Sequence, residues 1–165
     1  MNKVGKFEKV SIVQYSRDTG LLEDNLYTIY RDIKLPLRAT VGSCGYDFFS
    51  PLDIELKAGE TVVVHTGIRC RIQEGWFLMI CPRSGLGFKY RVQLDNTVGI
   101  IDQDYYGASN EGHIILKITN DGKEGKTAKI LANNGFAQGI FLPFGITEDD
   151  CVTDKRDGGF GSTSR

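Results

Sequence analysis

The sequence predicts an all-β fold, which would be a sandwich, a jelly roll or a barrel. Short runs of β-branched and aromatic residues alternate along the chain with clusters of Gly, Asn and Asp. The 20 glycines and only 4 prolines of the 165 residues supply turns between these runs. No window of eleven or more residues has a clean helical period, so we expect at most one turn of helix, at residues 86–90.

The expected strands come from two kinds of pattern. The first two segments alternate between apolar and polar residues, and a turn at residues 58–60 follows them. The later segments are continuous β-branched or aromatic runs bounded by turn residues. In chain order the expected strands are residues 8–14, 53–57, 61–72, 75–81, 113–119, 126–131 and 136–144.

One β domain, residues 1–146, is expected to be followed by a mobile C-terminal arm, residues 147–165. The chain length and a hydrophobic content of 41% suit one compact core. From Thr147 onward the sequence is acidic and then rich in Gly and Ser, which is typical of a mobile segment. Phe160 lies between two glycines in this arm and has no local apolar partner, so we expect it to pack elsewhere.

The composition argues against nucleic-acid and membrane functions. The 20 basic and 21 acidic residues nearly balance, whereas proteins that rely on phosphate contacts to nucleic acids are usually more basic. The longest apolar runs are too short to cross a bilayer, and the first residues lack the apolar stretch of a secretory signal. We expect a protein of the cytoplasm, or of the host-cell cytoplasm if a virus or phage encodes it. Its four cysteines are then free, with two disulfides as the less favoured alternative.

The stretch NTVGIIDQDYYG, residues 96–107, places two acids directly behind an apolar run. Burial against such a run raises the pKa of a carboxyl group, which makes Asp102 a candidate general base. The amide of Asn96 both donates and accepts hydrogen bonds, which suits the edge of a heterocycle, and Tyr105 offers a flat ring. The alternative for this stretch alone is a hairpin with a structural Asp at its turn.

Other stretches offer groups suited to phosphates and to a hard cation. In GSCGYD, residues 42–47, Asp47 is a carboxylate suited to the water shell of Mg²⁺. In GFAQGI, residues 135–140, Gln138 adds a neutral amide. Arginine, hydroxyl and glycine groups suited to anions occur at Arg83, Ser84, Gly85, Arg156, Ser162 and Thr163. Each stretch alone is also typical of an ordinary turn, but together they predict a nucleoside polyphosphate site without a Rossmann or Walker motif.

In their order and spacing these stretches resemble the five motifs of the trimeric dUTPases. VGSCGYDFFSP resembles the first motif, PRSGLG the second, NTVGIIDQDYYG the third, GFAQGIF the fourth and RDGGFGST the fifth. The resemblance implies a distorted β-jelly-roll and a homotrimer with active sites at subunit interfaces. It also implies Mg²⁺-dependent hydrolysis of dUTP to dUMP and pyrophosphate, which keeps uracil out of DNA and supplies dUMP for dTMP synthesis.

The resemblance further implies a role for each motif residue. Asp102 would activate the water that attacks the α-phosphorus, and Asp47 would contact the water shell of the metal. Tyr105 would pack under the deoxyribose. The residues implied to bind phosphates are Arg83, Ser84, Gly85, Gln138, Arg156, Ser162 and Thr163. Those implied to bind uracil and deoxyribose are Asn96, Gly99, Ile100, Ile101, Tyr105 and Phe160.

Two segments depart from the minimal family domain. Residues 108–112 look like an insertion before the next strand, and the N-terminal segment 16–25 looks extended. Glu111 in the insertion keeps one alternative open, a dCTP deaminase-like or bifunctional enzyme of the same superfamily, because deamination in that branch uses a Glu shortly after the third motif. The other alternative is a nucleotide-dependent regulatory protein that binds a partner.

Overall fold

A computed structural model describes residues 2–154, 156 and 158. In this part of the chain the strands pair only in antiparallel fashion. They are β1 (Gly5–Lys9), β2 (Tyr46–Phe49), β3 (Ile54–Leu56), β4 (Thr61–His65), β5 (Ile68–Ile72), β6 (Trp76–Pro82), β7 (Val92–Leu94), β8 (Gly99–Ile101), β9 (Ile115–Asn120), β10 (Ala128–Ile130) and β11 (Gly135–Pro143). The helices are α1 (Ile12–Thr19), α2 (Glu23–Asp32) and α3 (Ser84–Tyr90), with a 3₁₀ turn at Gln103–Gly107.

The strands form four small sheets. A four-stranded sheet has the order β2–β11–β6–β8, and a three-stranded sheet has the order β4–β9–β7. The pairs β1–β5 and β10–β3 complete the set within the described residues. The predicted all-β class is confirmed, since strands dominate and each expected strand segment overlaps an observed strand, whereas β2, β7 and β8 lie outside the expected segments.

The core lies where the apolar faces of these sheets meet. Its fully buried side chains come from several sheets at once, and they include Phe48, Leu78, Ile80, Ile118 and Phe136. Alternate residues of β9 and β5 point into this core, as the period of two along a strand requires. All four cysteines are free.

The expectation of a strand over residues 8–14 is wrong beyond Lys9. Ser11 ends the extended segment, because its hydroxyl accepts a hydrogen bond from the backbone N–H of Gln14 at 3.1 Å and thereby caps α1. The following α2 buries Leu26, and Ile33 directly after it is buried as well. Both helices have fewer than eleven residues, which is why a window of that length did not detect them.

None of the helices in the described part of the chain is long and apolar enough to cross a membrane.

Candidate active site

A cavity of about 550 Å³ lies beside the hairpin that joins β7 to β8. Strand β9 and Val63 of β4 form its other walls. The predicted site residues that line it are Asn96, Gly99, Ile100, Ile101, Asp102, Tyr105 and Arg156. Residues distant by up to 60 positions in sequence therefore meet at one apolar-walled cavity that carries a carboxylate.

The β7–β8 hairpin is tight and places an exposed amide at its tip. The backbone N–H of Thr97 donates to the carbonyl of Leu94 at 2.9 Å, and Thr97 has a φ of 69°, which is unusual for a β-branched residue. Asn96 is exposed, and its amide makes no hydrogen bond to any described residue. Gly99 is buried at a point where a Cβ would lie 3.2 Å from the Cβ of Ile80. The hairpin therefore packs closely on β6 while its tip stays accessible to a ligand.

Asp102 follows β8 directly and stands at the wall of the cavity. Its side chain is 48% exposed and forms an ion pair with the guanidinium of Arg156. Partial burial raises the pKa of the Asp102 carboxyl, opposed by Arg156 and assisted by the negative charge of Asp104. Asp104 is 58% exposed and accepts a hydrogen bond from Nε of Arg156 at 3.0 Å. Of the two acids, Asp102 alone lines the cavity.

Tyr105 presents its ring to the cavity and its hydroxyl to the protein. The residue is only 7% exposed. Its hydroxyl donates to the carbonyl of His113 at 2.7 Å and accepts from the amide of Asn110 at 2.8 Å. The guanidinium of Arg156 lies 5.7 Å from the ring centroid. The hydroxyl is thus held on the protein side, while the residue forms part of the cavity wall.

A second group of predicted residues lies elsewhere on the four-stranded sheet. Nε of Arg83 is 3.2 Å from the carboxylate of Asp47, and the amide of Gln138 donates to the carbonyl of Pro82 at 3.1 Å. Ser84 and Gly85 are exposed and begin α3. The strands β2, β11 and β6 place these five residues together because Asp47 pairs with Gln138, and Gln138 pairs with Cys81 next to Pro82.

The chain does not bring the two groups into one cavity. None of the residues of the second group lines the cavity beside the hairpin. The register explains the separation. Leu78 of β6 pairs with Ile101, and Asp102 lies one position beyond that pair. This point is four positions along β6 from Cys81, which corresponds to about 13 Å. The predicted residues Phe160, Ser162 and Thr163 lie outside the described residues.

The structure adds cavity residues that the sequence did not reveal. Asp95 and Lys117 line the cavity and form an ion pair of 3.0 Å. Their proximity depends on the pairing of β7 with β9, since the N–H of Asp95 donates to the carbonyl of Lys117. Charged residues on the exposed face of a strand do not by themselves indicate a cavity wall, so the sequence did not predict that either residue lines the cavity.

Glu111, the candidate acid of a deaminase, has a structural role instead. Its carboxylate accepts hydrogen bonds from the backbone N–H of Ser11 at 2.7 Å and from the hydroxyl of Ser11 at 2.6 Å. It does not line the cavity. The carboxylate is therefore directed at the start of α1, and the deaminase alternative loses the residue that supported it.

Comparison with known proteins identifies the relationship. The sequence model of the dUTPase family matches residues 31–164. The deoxyuridine 5'-triphosphate nucleotidohydrolase of Pectobacterium carotovorum subsp. carotovorum (strain PC1) is 40% identical over 139 residues, which are 79% of this chain and 87% of that protein.

Solved structures agree with this relationship. The crystal structure of dUTPase from Streptococcus mutans has 33% identity and a TM-score of 0.64, and the match covers 86% of this chain and 98% of that chain. A mutant dUTPase from phage phi11 of S. aureus, solved for the coordination of a structural Mg(II) ion, has the same fold with 19% identity and a TM-score of 0.62, over 92% of this chain and 98% of that chain.

The fold, the cavity and these matches define an all-β nucleotidohydrolase. Within that class, the chain belongs to the dUTPase family. The predicted family is thereby confirmed, whereas the roles of the individual site residues remain predictions.

Proposed function

We propose that the protein hydrolyses dUTP to dUMP and pyrophosphate, with Asp102 as the general base. The observation that carries the proposal is the meeting of the Asp102 carboxylate, the Tyr105 ring and the Asn96 amide at one cavity. These three groups match the three parts of a deoxyuridine nucleotide, namely the reacting phosphate, the sugar and the base. Membership of the dUTPase family supports the same substrate.

Recognition of the base and the sugar falls to the hairpin and to Tyr105. Asn96 and the backbone of the hairpin would pair with uracil, which offers both donors and acceptors at its edge. Gly99 packs closely on Ile80, and we expect this contact to make the hairpin too rigid to yield to the methyl group of thymine. The ring of Tyr105 would form the floor under the deoxyribose, where a ribose 2′-hydroxyl would clash.

Asp102 performs the proton transfer. A water molecule held by the carboxylate gives its proton to Asp102 as its oxygen forms a bond to the α-phosphorus. The bond from the α-phosphorus to the bridging oxygen breaks, and pyrophosphate leaves with the electron pair. The raised pKa of Asp102 brings its basicity closer to neutral pH, which favours this role. Positioning and electrostatics supply most of the catalysis of phosphoryl transfer, so a correctly placed carboxylate is sufficient as the base.

The residues of the second group fit a magnesium–triphosphate rather than a protein-bound metal. No set of three or more His, Cys, Asp or Glu side chains in the described part of the chain is arranged to hold a metal ion. Mg²⁺ commonly keeps several waters and takes its remaining ligands from substrate phosphates and one or two carboxylates. Asp47 would contact that water shell, while Arg83, Ser84 and Gln138 would bind phosphates. When bound, the metal would neutralise the triphosphate and stabilise the leaving pyrophosphate.

The separation of the two groups supports a homotrimer with active sites between subunits. Asp102 and Arg83 directly follow two strands of the same sheet yet line no common cavity, so the phosphate-binding group of one copy would complete the Asp102 cavity of another. A closed ring of identical copies provides such a contact for every subunit. We propose a trimer because the family resemblance implies that number.

Mixing two inactive variants tests this arrangement. Asp102→Asn and Arg83→Ala are each expected to be nearly inactive alone, because each lacks one half of every site. After the two are unfolded together and refolded at equal amounts, about a quarter of the sites would combine two intact halves, and that share of wild-type activity should return. Refolding each variant alone is the control. If the mixture stays inactive while it forms mixed oligomers, both halves of a site belong to one chain.

A panel of four nucleotides tests the proposed function itself. We expect pyrophosphate release from dUTP in the presence of Mg²⁺, with UTP, dTTP and dCTP at least about 100-fold slower in kcat/KM. EDTA should abolish the reaction, and added Mg²⁺ should restore it. Ammonia released from dCTP would instead show a deaminase, and nucleotide binding without any turnover would show a regulatory protein.

A further inference from the structure

The hydroxyl of Tyr105 is held by the segment that the sequence marks as an insertion, which we call the inserted loop (residues 108–112). Asn110 of this loop donates to the hydroxyl at 2.8 Å, and the carbonyl of His113, directly after the loop, accepts from it at 2.7 Å. A phenol ring rotates and slides easily against an apolar wall. Two hydrogen bonds at the hydroxyl fix both the direction of the ring axis and its depth in the cavity wall.

The inserted loop is itself anchored at both ends of α1. At the start of the helix, the carboxylate of Glu111 accepts from the N–H and the hydroxyl of Ser11. Near the end of the helix, Asp18 is 2.5 Å from Nδ1 of His113. Ser11 and Asp18 are seven residues apart, which corresponds to about 10 Å along a helix. The loop is therefore fastened to the N-terminal helix at two well-separated points.

The imidazole of His113 is locked in one orientation. The ring is fully buried, and its Nε2 accepts a hydrogen bond from the backbone N–H of Gly67 at 2.8 Å. Nε2 therefore carries no proton, so Nδ1 carries it and donates to Asp18. The oxygen Oδ1 of Asp18 is held in turn by the amide of Gln14 at 2.8 Å. With both ring nitrogens engaged, the backbone of His113 that accepts from Tyr105 cannot shift without breaking buried hydrogen bonds.

We propose that Asn110, His113 and Asp18 are positioning residues for Tyr105, so that helix α1 and the inserted loop set how strongly this enzyme rejects a ribose nucleotide. The inference deepens the proposed function and rests on it. A pocket wall by itself rejects an added hydroxyl group only weakly, by a factor on the order of 100. Stronger rejection of the 2′-hydroxyl therefore requires that the Tyr105 ring does not move when a ribose presses on it. The hydrogen bonds of its hydroxyl to Asn110 and His113 hold the ring in place.

A double-mutant cycle with two substrates tests the inference. The measured quantity is the selectivity ratio, kcat/KM for dUTP divided by kcat/KM for UTP. Tyr105→Phe removes the hydroxyl and keeps the ring, and Asn110→Ala removes one of its partners. We expect Asn110→Ala, which removes one hydrogen bond, to lower the ratio by about fivefold, and Tyr105→Phe, which removes both, to lower it at least as much. The double variant should lower it no further than Tyr105→Phe alone, because Asn110 acts through the hydroxyl.

Asp18→Asn extends the test to the helix, with Asp32→Asn as its matched control. Asp32 ends α2 and pairs on the surface with Arg31 at 3.0 Å, and it forms no hydrogen bond or ion pair with the described inserted loop. Asp18→Asn should lower the selectivity ratio, and Asp32→Asn should leave it at the wild-type value. Thermal unfolding of each variant shows whether it is folded. If Asp18→Asn does not fold, the cycle between Asn110 and Tyr105 still decides the question.

Three results would overturn the inference. The first is an unchanged selectivity ratio in both Asn110→Ala and Tyr105→Phe. The second is a double variant in which the losses of selectivity of the two single variants add. The third is an equal change of the ratio in Asp18→Asn and Asp32→Asn. A lowered melting temperature with an unchanged ratio would show that these contacts serve stability alone. A wild-type protein that does not hydrolyse dUTP would overturn the proposed function and the inference with it. An active and selective wild type with unaffected variants would overturn the inference alone.

Discussion

Replacing Asp102 by asparagine is expected to lower kcat for dUTP by about two to four orders of magnitude while nucleotide binding is retained. Asparagine has nearly the shape of aspartate, but it cannot accept the proton of the attacking water. The cavity walls, the hairpin and Tyr105 are unchanged in this variant, so the substrate should still bind. Steady-state kcat, together with the Kd of a non-hydrolysable dUTP analogue, measures the two effects separately.

Asp104→Asn is the matched control for this experiment. It makes the same chemical change two residues away, and Asp104 shares the contact with Arg156 but does not line the cavity. Turnover of this variant should stay within a few fold of the wild type, as expected for an exposed ion pair. Equal losses of turnover in the two variants would mean that the combined negative charge of Asp102 and Asp104 is required, rather than a general base at Asp102. Normal turnover of Asp102→Asn would exclude Asp102 as the base.

The sequence predicted those features of the site that are local in the chain. The apolar run before Asp102 forms β8, although it was not among the expected strand segments. The same pattern predicted partial burial of the carboxyl group, and the raised pKa of Asp102 agrees with that.

Helix α1 was missed because the cap at Ser11 interrupts what otherwise has the pattern of a strand. Val10 and Ile12 alternate with polar residues as in a strand, but Ser11 between them caps α1. A capping hydroxyl satisfies a backbone N–H that would otherwise lack a partner, and this favours a helix over continuation of the strand. The carboxylate of Glu111, 100 residues away, strengthens the same cap from outside. A pattern within one segment cannot show a contact of that range.

The contacts behind Tyr105 could not be predicted for the same reason. Asn110, Glu111 and His113 have no apolar periodicity, and in the sequence they are typical of an ordinary polar turn. Their partners Ser11 and Asp18 become neighbours only when α1 packs beside β4. The residues predicted to contact substrate thus follow local patterns in this chain, whereas those proposed to hold Tyr105 in place depend on tertiary packing.

Deletion of residues 156–165 is expected to lower kcat/KM for dUTP by at least about 100-fold without unfolding the protein. The deletion removes Arg156 and the predicted ligands Phe160, Ser162 and Thr163. In the described structure, Arg156 joins the domain through ion pairs with the half-exposed Asp102 and Asp104, and such pairs contribute only about 0–1 kcal/mol to stability. The melting temperature should therefore stay close to that of the wild type, and the truncated protein should keep its oligomeric state. Full activity, or dissociation to monomers, would contradict a role of the arm in completing the site.

Arg156→Gln separates the electrostatic effect of the arm from its other contributions, through the pH dependence of kcat/KM. The guanidinium lowers the pKa of the Asp102 carboxyl in the free enzyme, whereas burial and Asp104 raise it. Without Arg156 the pKa of Asp102 rises further, and because the base acts only when it is deprotonated, the acidic limb of the profile should move to higher pH. Arg91→Gln is the matched control, since Arg91 pairs with the exposed Asp121 on the far side of α3 and should leave the limb in place. A limb that moves to lower pH, or moves equally in both variants, would show that the contact between Arg156 and Asp102 does not control the base.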